Sequence, residues 1–262
     1  MSEAHKQYLR SLVKYRRKIK FFRILVFVIF LILWESAADF GLIDAFFFSS
    51  PSRIVKWVFS MGKTGELFTH IGITLWETVL SFLFVMLLSV AVASLLWFSK
   101  SLAAIFEPTL VILNSLPKSA LAPLFIVWLG TGMKTIIVAG ISVAVFGSII
   151  SIYTQFHQTD PEMAKLIITL GGNKWDIYKR IVLPYCVPTL INSMKVNIGL
   201  ALVGVVIGEF LAARRGLGYL IIYGTQVFRL DMVISSIIIL CVIAYGLYFF
   251  IQRLERFVNM EM

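Results

Sequence analysis

The chain has 262 residues, 59% of them hydrophobic, a mean hydropathy of +0.90 and a formal net charge of +10. Soluble domains are nearer half apolar, and the excess here is gathered into long runs, so a separate soluble domain is excluded and a polytopic membrane protein is indicated. The positive charges cluster at the ends of apolar runs, which assigns them to membrane topology and sets nucleic acid aside as a partner.

Residues 1–20 form a basic tail holding Lys6, Arg10, Lys14, Arg16, Arg17, Lys18 and Lys20. The tail is long, and no small-x-small cleavage site follows the next apolar run. That run is therefore expected to be a retained span and not a leader. Residues 21–262 read as one transmembrane domain. A span needs about 20 apolar residues. Six runs qualify: 21–40, 71–98, 102–129 (broken by Pro117 and Pro123), 135–156, 185–212 and 232–251. The expected fold is all-α, with about six transmembrane helices.

Two segments between runs carry helix signals of their own. Ser49-Ser50-Pro51-Ser52-Arg53, followed by Ile54, Val55, Trp57 and Val58, predicts a capped, amphipathic interfacial helix. Gly216-Leu217-Gly218-Tyr219 and the apolar stretch to Val227 predict a helix too short to span, dipping back toward the bundle. Cys186 and Cys241 read as small apolar residues, and His5, His70 and His157 form no ligand cluster, so no metal is expected.

Lysine and arginine bias sets the orientation. The N-terminal tail, Arg253 and Arg256 at the C-terminus, and Lys165, Lys174, Lys179 and Arg180 between the fourth and fifth runs share one side if there are six spans. The opposite side is sparser in cations. Both termini are therefore expected in the cytoplasm.

The most structured polar segment is the island at 160–184, within a loop spanning 157–184. Asp160-Pro161 predicts a helix start, with Asp as cap and Pro at the first position. Met163, Leu166, Ile167 and Leu170 give that helix an apolar face. Gly171-Gly172 ends it, Asn173 caps a second short helix, and Trp175, Tyr178 and Val182 make the second apolar side. Pro184 marks entry to the fifth span. Such a helix–turn–helix suits either a cleft in another protein or a bed of lipid headgroups.

Gly171, Ile181 and Leu183-Pro184 resemble the coupling-loop motif of ATP-binding-cassette importer permeases, EAA-x3-G-x9-I-x-L-P. Trp34-Glu35, Ser49-Ser50-Pro51-Ser52, Leu116-Pro117-Lys118-Ser119-Ala120-Leu121-Ala122-Pro123, Trp128-Leu129-Gly130, Pro188, Glu209 and Gly216-Leu217-Gly218 are similar to the branch handling nitrate, sulfonate, taurine, bicarbonate and thiamine precursors. The resemblance runs in order from residue 30 onward. One position departs: Lys165 stands where the motif has Glu, and Leu166-Ile167 stand where it has alanines, with Glu162 the nearest acid.

The resemblance implies a type I importer permease fold in the prokaryotic cytoplasmic membrane. It also implies two ATPase subunits, a second permease copy (a homodimer) and an external substrate-binding protein. The chain itself would bind no cofactor; ATP and magnesium would sit on the partner ATPase. The ATPase-coupling residues it implies are Glu162, Ala164, Lys165, Leu166, Gly171, Gly172, Trp175, Ile181, Leu183 and Pro184. No ATPase site is expected in this chain. Gly62-Lys63-Thr64 mimics the end of a phosphate loop, but Trp57 occupies the position of its first glycine.

Polar groups within spans are costly and usually face protein or water. Asn114, Pro117, Lys118, Asn197 and Glu209 are accordingly the candidates for the translocation pathway or gate. Each has a plainer alternative. Glu209 has Arg214 or Arg215 as possible ion-pair partners, Lys118 has Glu107 or Glu77, and Asn114 can bond between spans. Lys195 can reach the pathway or snorkel to the surface. Glu35 and Glu77, near run ends, are expected at the interface. The transported solute is expected to be a small organic or inorganic anion or a thiamine-precursor-like molecule. The alternative function is a secondary transporter or channel that works without ATP.

Overall fold

A computed structural model describes the backbone of residues 3–261; the side chains of residues 3–13, 16, 45 and 257–261 lie outside the described set, among them Lys6, Arg10 and Arg16 of the tail and His5. Among the described residues, twelve α-helices follow one another: α1 (Glu3–Asp39), α2 (Ala45–Phe48), α3 (Pro51–Thr64), α4 (Glu66–Phe98), α5 (Lys100–Ser115), α6 (Lys118–Leu129), α7 (Met133–His157), α8 (Pro161–Thr169), α9 (Lys174–Ile177), α10 (Leu183–Ala212), α11 (Leu217–Gln226) and α12 (Leu230–Glu261). One π-helical turn, Tyr178–Val182, joins α9 to α10.

Five helical stretches among the described residues are long and apolar enough to cross a bilayer: Arg17–Asp39, Glu66–Phe98, Met133–His157, Lys174–Ala212 and Leu230–Arg256. The sixth expected span is α5 plus α6, which meet at 98°. Of the two prolines expected to break it, only Pro117 does. It precedes α6 in an extended conformation, whereas Pro123 sits within α6 without ending it. Proline disfavours helical geometry in the residue before it, and Leu116 is extended, at φ −64° and ψ 138°.

The core is the packing of α7 between α4 and α10. Its contacts need small residues, because lipid supplies no hydrophobic drive between helices and close backbone approach does the work instead. Gly204 and Gly208 on α10 form a G-x-x-x-G pair. A Cβ on Gly204 would lie 2.8 Å from the Ala139 carbonyl oxygen, and one on Gly208 would lie 2.9 Å from the Ile136 Cα. Across the other face of α7, Ser81 and Ser89 of α4 donate to the Ile137 and Val145 carbonyls at 3.3 and 3.4 Å.

Helix α1 stands apart from this bundle and touches it mainly through α2 and α3. The expected capped helix is α3, but the cap differs. The Ser50 side chain makes no cap bond; Glu35 of α1 accepts instead from the Ser52 N–H at 2.9 Å and from the Ser50 hydroxyl at 3.3 Å. Asp231 ties α3 to the start of α12 through Ser49, at 2.6 Å, and Arg53, at 3.1 Å. The short helix expected after Gly216 is α11, and it packs on α10 and α12.

Candidate functional site

Two regions hold the polar chemistry: the island between α7 and α10, and a groove among α5, α7 and α10.

In the island, Asp160 caps α8 by accepting from the Glu162 N–H at 2.8 Å, with Pro161 in the first turn. The helix ends in a paired closure: Gly172 N–H donates to the Ile167 carbonyl and Gly171 N–H to the Ile168 carbonyl, both at 2.9 Å. This is a Schellman motif with Gly171 at the left-handed position, φ +83°. The two glycines are required for different reasons. Gly171 has open space around it but a backbone that side-chain-bearing residues resist. Gly172 has an ordinary backbone, but a Cβ there would lie 2.5 Å from an Ile167 methyl.

A capping box opens the second helix. Asn173 Oδ1 accepts from Trp175 N–H at 2.8 Å and Asp176 N–H at 3.0 Å, and Asn173 N–H donates to Asp176 at 2.9 Å. From there the helix does not stop. It widens by one π turn, in which Leu183 N–H donates to the Tyr178 carbonyl, and runs on as the fifth span. Pro184 lies in the first turn of α10, at the entry to that span as expected. The π turn sits just ahead of Pro184, which has no N–H to continue the ladder.

The second helix is bound into the bundle. Tyr178 is buried, and its hydroxyl lies 2.5 Å from that of Ser94 on α4. Its ring packs on Trp97, Phe98, Phe156 and Trp175 at centroid distances of 5.1 to 5.8 Å. Val182, Ile177 and Cys186 join Ala93 and Ile152 in the same cluster. The first helix is the opposite case. No residue of α8 is buried; Ala164 and Ile167 lean on that cluster, and Met163, Leu166, Ile168 and Leu170 are exposed, as is Trp175. Lys165 donates to Glu162 at 2.7 Å with both side chains in solvent. Ile181 and Leu183 are half-buried, and Pro184 is exposed.

The groove encloses about 430 Å³ and is lined by Asn114 of α5, Gly147, Ser148 and Ser151 of α7, and Thr189, Asn192, Ser193 and Asn197 of α10. Every polar group in it is a neutral amide or hydroxyl. Asn197 donates to Ser148 at 2.8 Å, joining α10 to α7. A Cβ on Gly147 would lie 3.2 Å from Asn114 Oδ1, so glycine there makes room for the amide. Asn114 and Asn197 were singled out from the sequence, and the structure brings them to one groove. The others were missed, although Thr189, Asn192, Ser193 and Asn197 fall at i, i+3, i+4 and i+8, one face of a helix.

The charged candidates lie elsewhere. Lys118 donates to the Leu113 carbonyl and sits 4.9 Å from the centre of the Phe146 ring, so it closes the C-terminal end of α5 and pairs with neither Glu107 nor Glu77. Pro117 makes the adjacent bend. Lys195 forms an ion pair with Glu255 of α12 at 2.6 Å and donates to Asn192 at 3.3 Å. Glu77 is buried and not interfacial. Glu209 is fully buried on α10 and pairs with neither Arg214 nor Arg215, both of which are exposed. It accepts from the Thr74 hydroxyl at 2.7 Å and from the Gly218 N–H at 2.5 Å, at the start of α11. Gly62-Lys63-Thr64 ends α3, whereas phosphate is held at helix N-termini.

Residues 85–260 match the family model described as "Binding-protein-dependent transport system inner membrane component". Among curated relatives, the chain is 29% identical over 243 residues to a probable ABC transporter permease protein of Haemophilus influenzae, covering 92% of this chain and 98% of the relative. It is 26% identical to the putative aliphatic sulfonates transport permease protein SsuC of Bacillus subtilis, covering 86% of this chain and 81% of the relative. It is also 26% identical to the formylaminopyrimidine transport permease protein ThiX of Halalkalibacterium halodurans, covering 74% and 77%. Among solved structures, the fold is similar to an inward-facing MetNI methionine ABC transporter chain, with TM-score 0.65, 19% identity and coverage of 75% of this chain and 98% of that one. It is also similar to a chain of a bacterial ABC transporter importing alginate, with TM-score 0.64, 17% identity and coverage of 95% and 98%.

Proposed function

The chain belongs to the family of binding-protein-dependent transport system inner membrane components, and on that premise we propose that it forms the translocation pathway of an ATP-driven importer and receives work from a separate ATPase through the 160–184 island. The observation that carries this is the asymmetry of the island. Its second helix is continuous with a span and anchored in the bundle, while its first helix offers Met163, Leu166, Ile168 and Leu170 to solvent. A push on α8 passes through the closed Gly171-Gly172 turn into a rigid 39-residue helix. Lipid headgroups would also accept an amphipathic helix, but they would not require it to be joined so stiffly to a span.

In this reading the island and both termini face the cytoplasm, and α3 and α11 face outward, in a prokaryotic cytoplasmic membrane. ATP and magnesium are held by two partner ATPases. A second copy of this permease completes the pathway, and an external binding protein delivers the solute. The neutral groove suits a small solute rich in hydrogen-bonding groups. A sulfonate or another small anion and a thiamine-precursor-like heterocycle both fit the class of the curated relatives.

The test is reconstitution of the chain with its ATPase and binding protein in proteoliposomes. ATP-dependent uptake supports the reading. Gradient-driven flux through the chain alone, with no ATPase present, supports a secondary transporter or channel and overturns it.

A further inference from the structure

Glu209 of α10 and Glu77 of α4 are both buried, at 0% and 4% exposure, and Thr74, one helical turn before Glu77 on the same face of α4, donates to Glu209 at 2.7 Å, which brings the two acids to one pocket. Two ionised carboxylates in one pocket closed to solvent repel strongly, so one of them holds a proton.

The neighbours decide which carboxyl carries it. Leu217 N–H donates to Thr74 Oγ1 at 2.9 Å, and Thr74 in turn donates to Glu209 Oε1 at 2.7 Å. Gly218 N–H donates to Glu209 Oε2 at 2.5 Å. All of these groups are donors, and an ionised carboxylate is an acceptor only. The start of α11 adds the favourable end of its dipole. Glu77 is placed differently: its Oε2 is buried and has no partner. An orphan carbonyl oxygen on a neutral acid costs far less than an orphan ionised oxygen.

Among the described residues, Arg214, Arg215 and Lys134 at the start of α7 are exposed, away from the buried pair. His70, one turn before Thr74 on α4, accepts the Gly216 N–H at 2.9 Å. Gly216 and Gly218 let the backbone come this close. A Cβ on either would collide with the Glu209 carboxylate.

We propose that Glu77 is held as a neutral carboxylic acid donating to an ionised Glu209, and that this bridging proton positions α11 against α4 and α10. Glu77 is thus a positioning residue acting through Glu209. The arrangement predicts an asymmetric response. Glutamine in place of Glu77 keeps a donor toward Glu209 and carries no charge. Glutamine in place of Glu209 points an amide N–H₂ group or a weaker acceptor at donors.

The experiment uses the full chain in its assembled, detergent-solubilised complex. Infrared spectra at neutral pH are expected to contain the C=O stretch of a protonated carboxylic acid that Glu77→Gln removes. Thermal stability of Glu77→Gln is expected to match the parent, while Glu77→Ala and Glu209→Gln melt lower, and uptake by Glu209→Gln falls about tenfold or more. A wild-type spectrum without that band, a band that survives Glu77→Gln, or equal melting of Glu77→Gln and Glu77→Ala overturns the proposal. The infrared and melting readouts do not depend on what the chain transports or what drives it.

Discussion

The Lys174 ammonium donates to the Phe98 carbonyl at 2.6 Å, joining the start of the island's second helix to the last residue of α4. The same ammonium lies 5.3 and 5.7 Å from the centres of the Trp97 and Phe98 rings. A cation at a helix C-terminus and above aromatic faces is favoured twice over. This contact, with the Tyr178–Ser94 bond, ties the start of the fifth span to the end of α4.

That tie is testable through Tyr178. Tyr178→Ala removes the ring at the centre of the aromatic cluster and is expected to cost about 3–5 kcal/mol, by analogy with other large aromatic deletions. Tyr178→Phe loses only the bond to Ser94, about 1 kcal/mol. Thermal unfolding of the purified complex separates the two. Similar melting for both variants would mean that the cluster is not a structural joint.

The exposed face of α8 should behave as a contact surface. Leu166→Ser leaves the chain's own packing unchanged, because Leu166 is 54% exposed. It is expected to weaken ATPase association about tenfold if that side chain is buried at the interface. Binding of purified ATPase to the permease in nanodiscs measures this. An unchanged affinity would return α8 to the lipid surface.

Where the coupling motif has its acid, this chain has Lys165, which pairs with Glu162. Glu162 and Lys165 pair in solvent, and such exposed pairs contribute about 0–1 kcal/mol. Lys165→Ala is therefore expected to leave stability unchanged. If Lys165 also reaches an acidic group on the ATPase, the variant lowers association and flattens its salt dependence. A titration of binding against ionic strength distinguishes the two.

Much of this was legible in the chain before any geometry. The apolar runs, the Asp160-Pro161 start and the Gly171-Gly172 stop rest on local rules, and local rules survive folding. What could not be read locally was set by distant partners. The cap of α3 comes from Glu35, seventeen residues before Ser52, and Glu77 is buried where α4 packs against the rest of the bundle. Pro184 marked the entry to the fifth span, but the single π turn that joins the short second helix to that span is not revealed by sequence periodicity. The groove was half legible. Asn114 and Asn197 stood out as amides in apolar runs, while its serines and Thr189 are common enough in membrane helices to pass unnoticed.

For the groove, Asn197→Leu removes an amide that bonds Ser148 and is expected to slow uptake while leaving ATPase association intact. Asn192→Cys, on the exposed rim, is expected to react with a hydrophilic thiol reagent and to be protected during transport. Loss of ATPase association in Asn197→Leu, or labelling of Asn192→Cys that transport never changes, would remove the groove from the pathway.

The most direct test of force transmission is Gly171→Val in the reconstituted complex, with uptake and ATP hydrolysis measured together. A β-branched residue at φ +83° is strained by about 1–2 kcal/mol or more, which opens the turn without touching the anchored second helix. The expected result is a complex that still assembles and still hydrolyses ATP, with solute moved per ATP reduced about tenfold. Unchanged coupling in an assembled Gly171→Val complex would contradict the account.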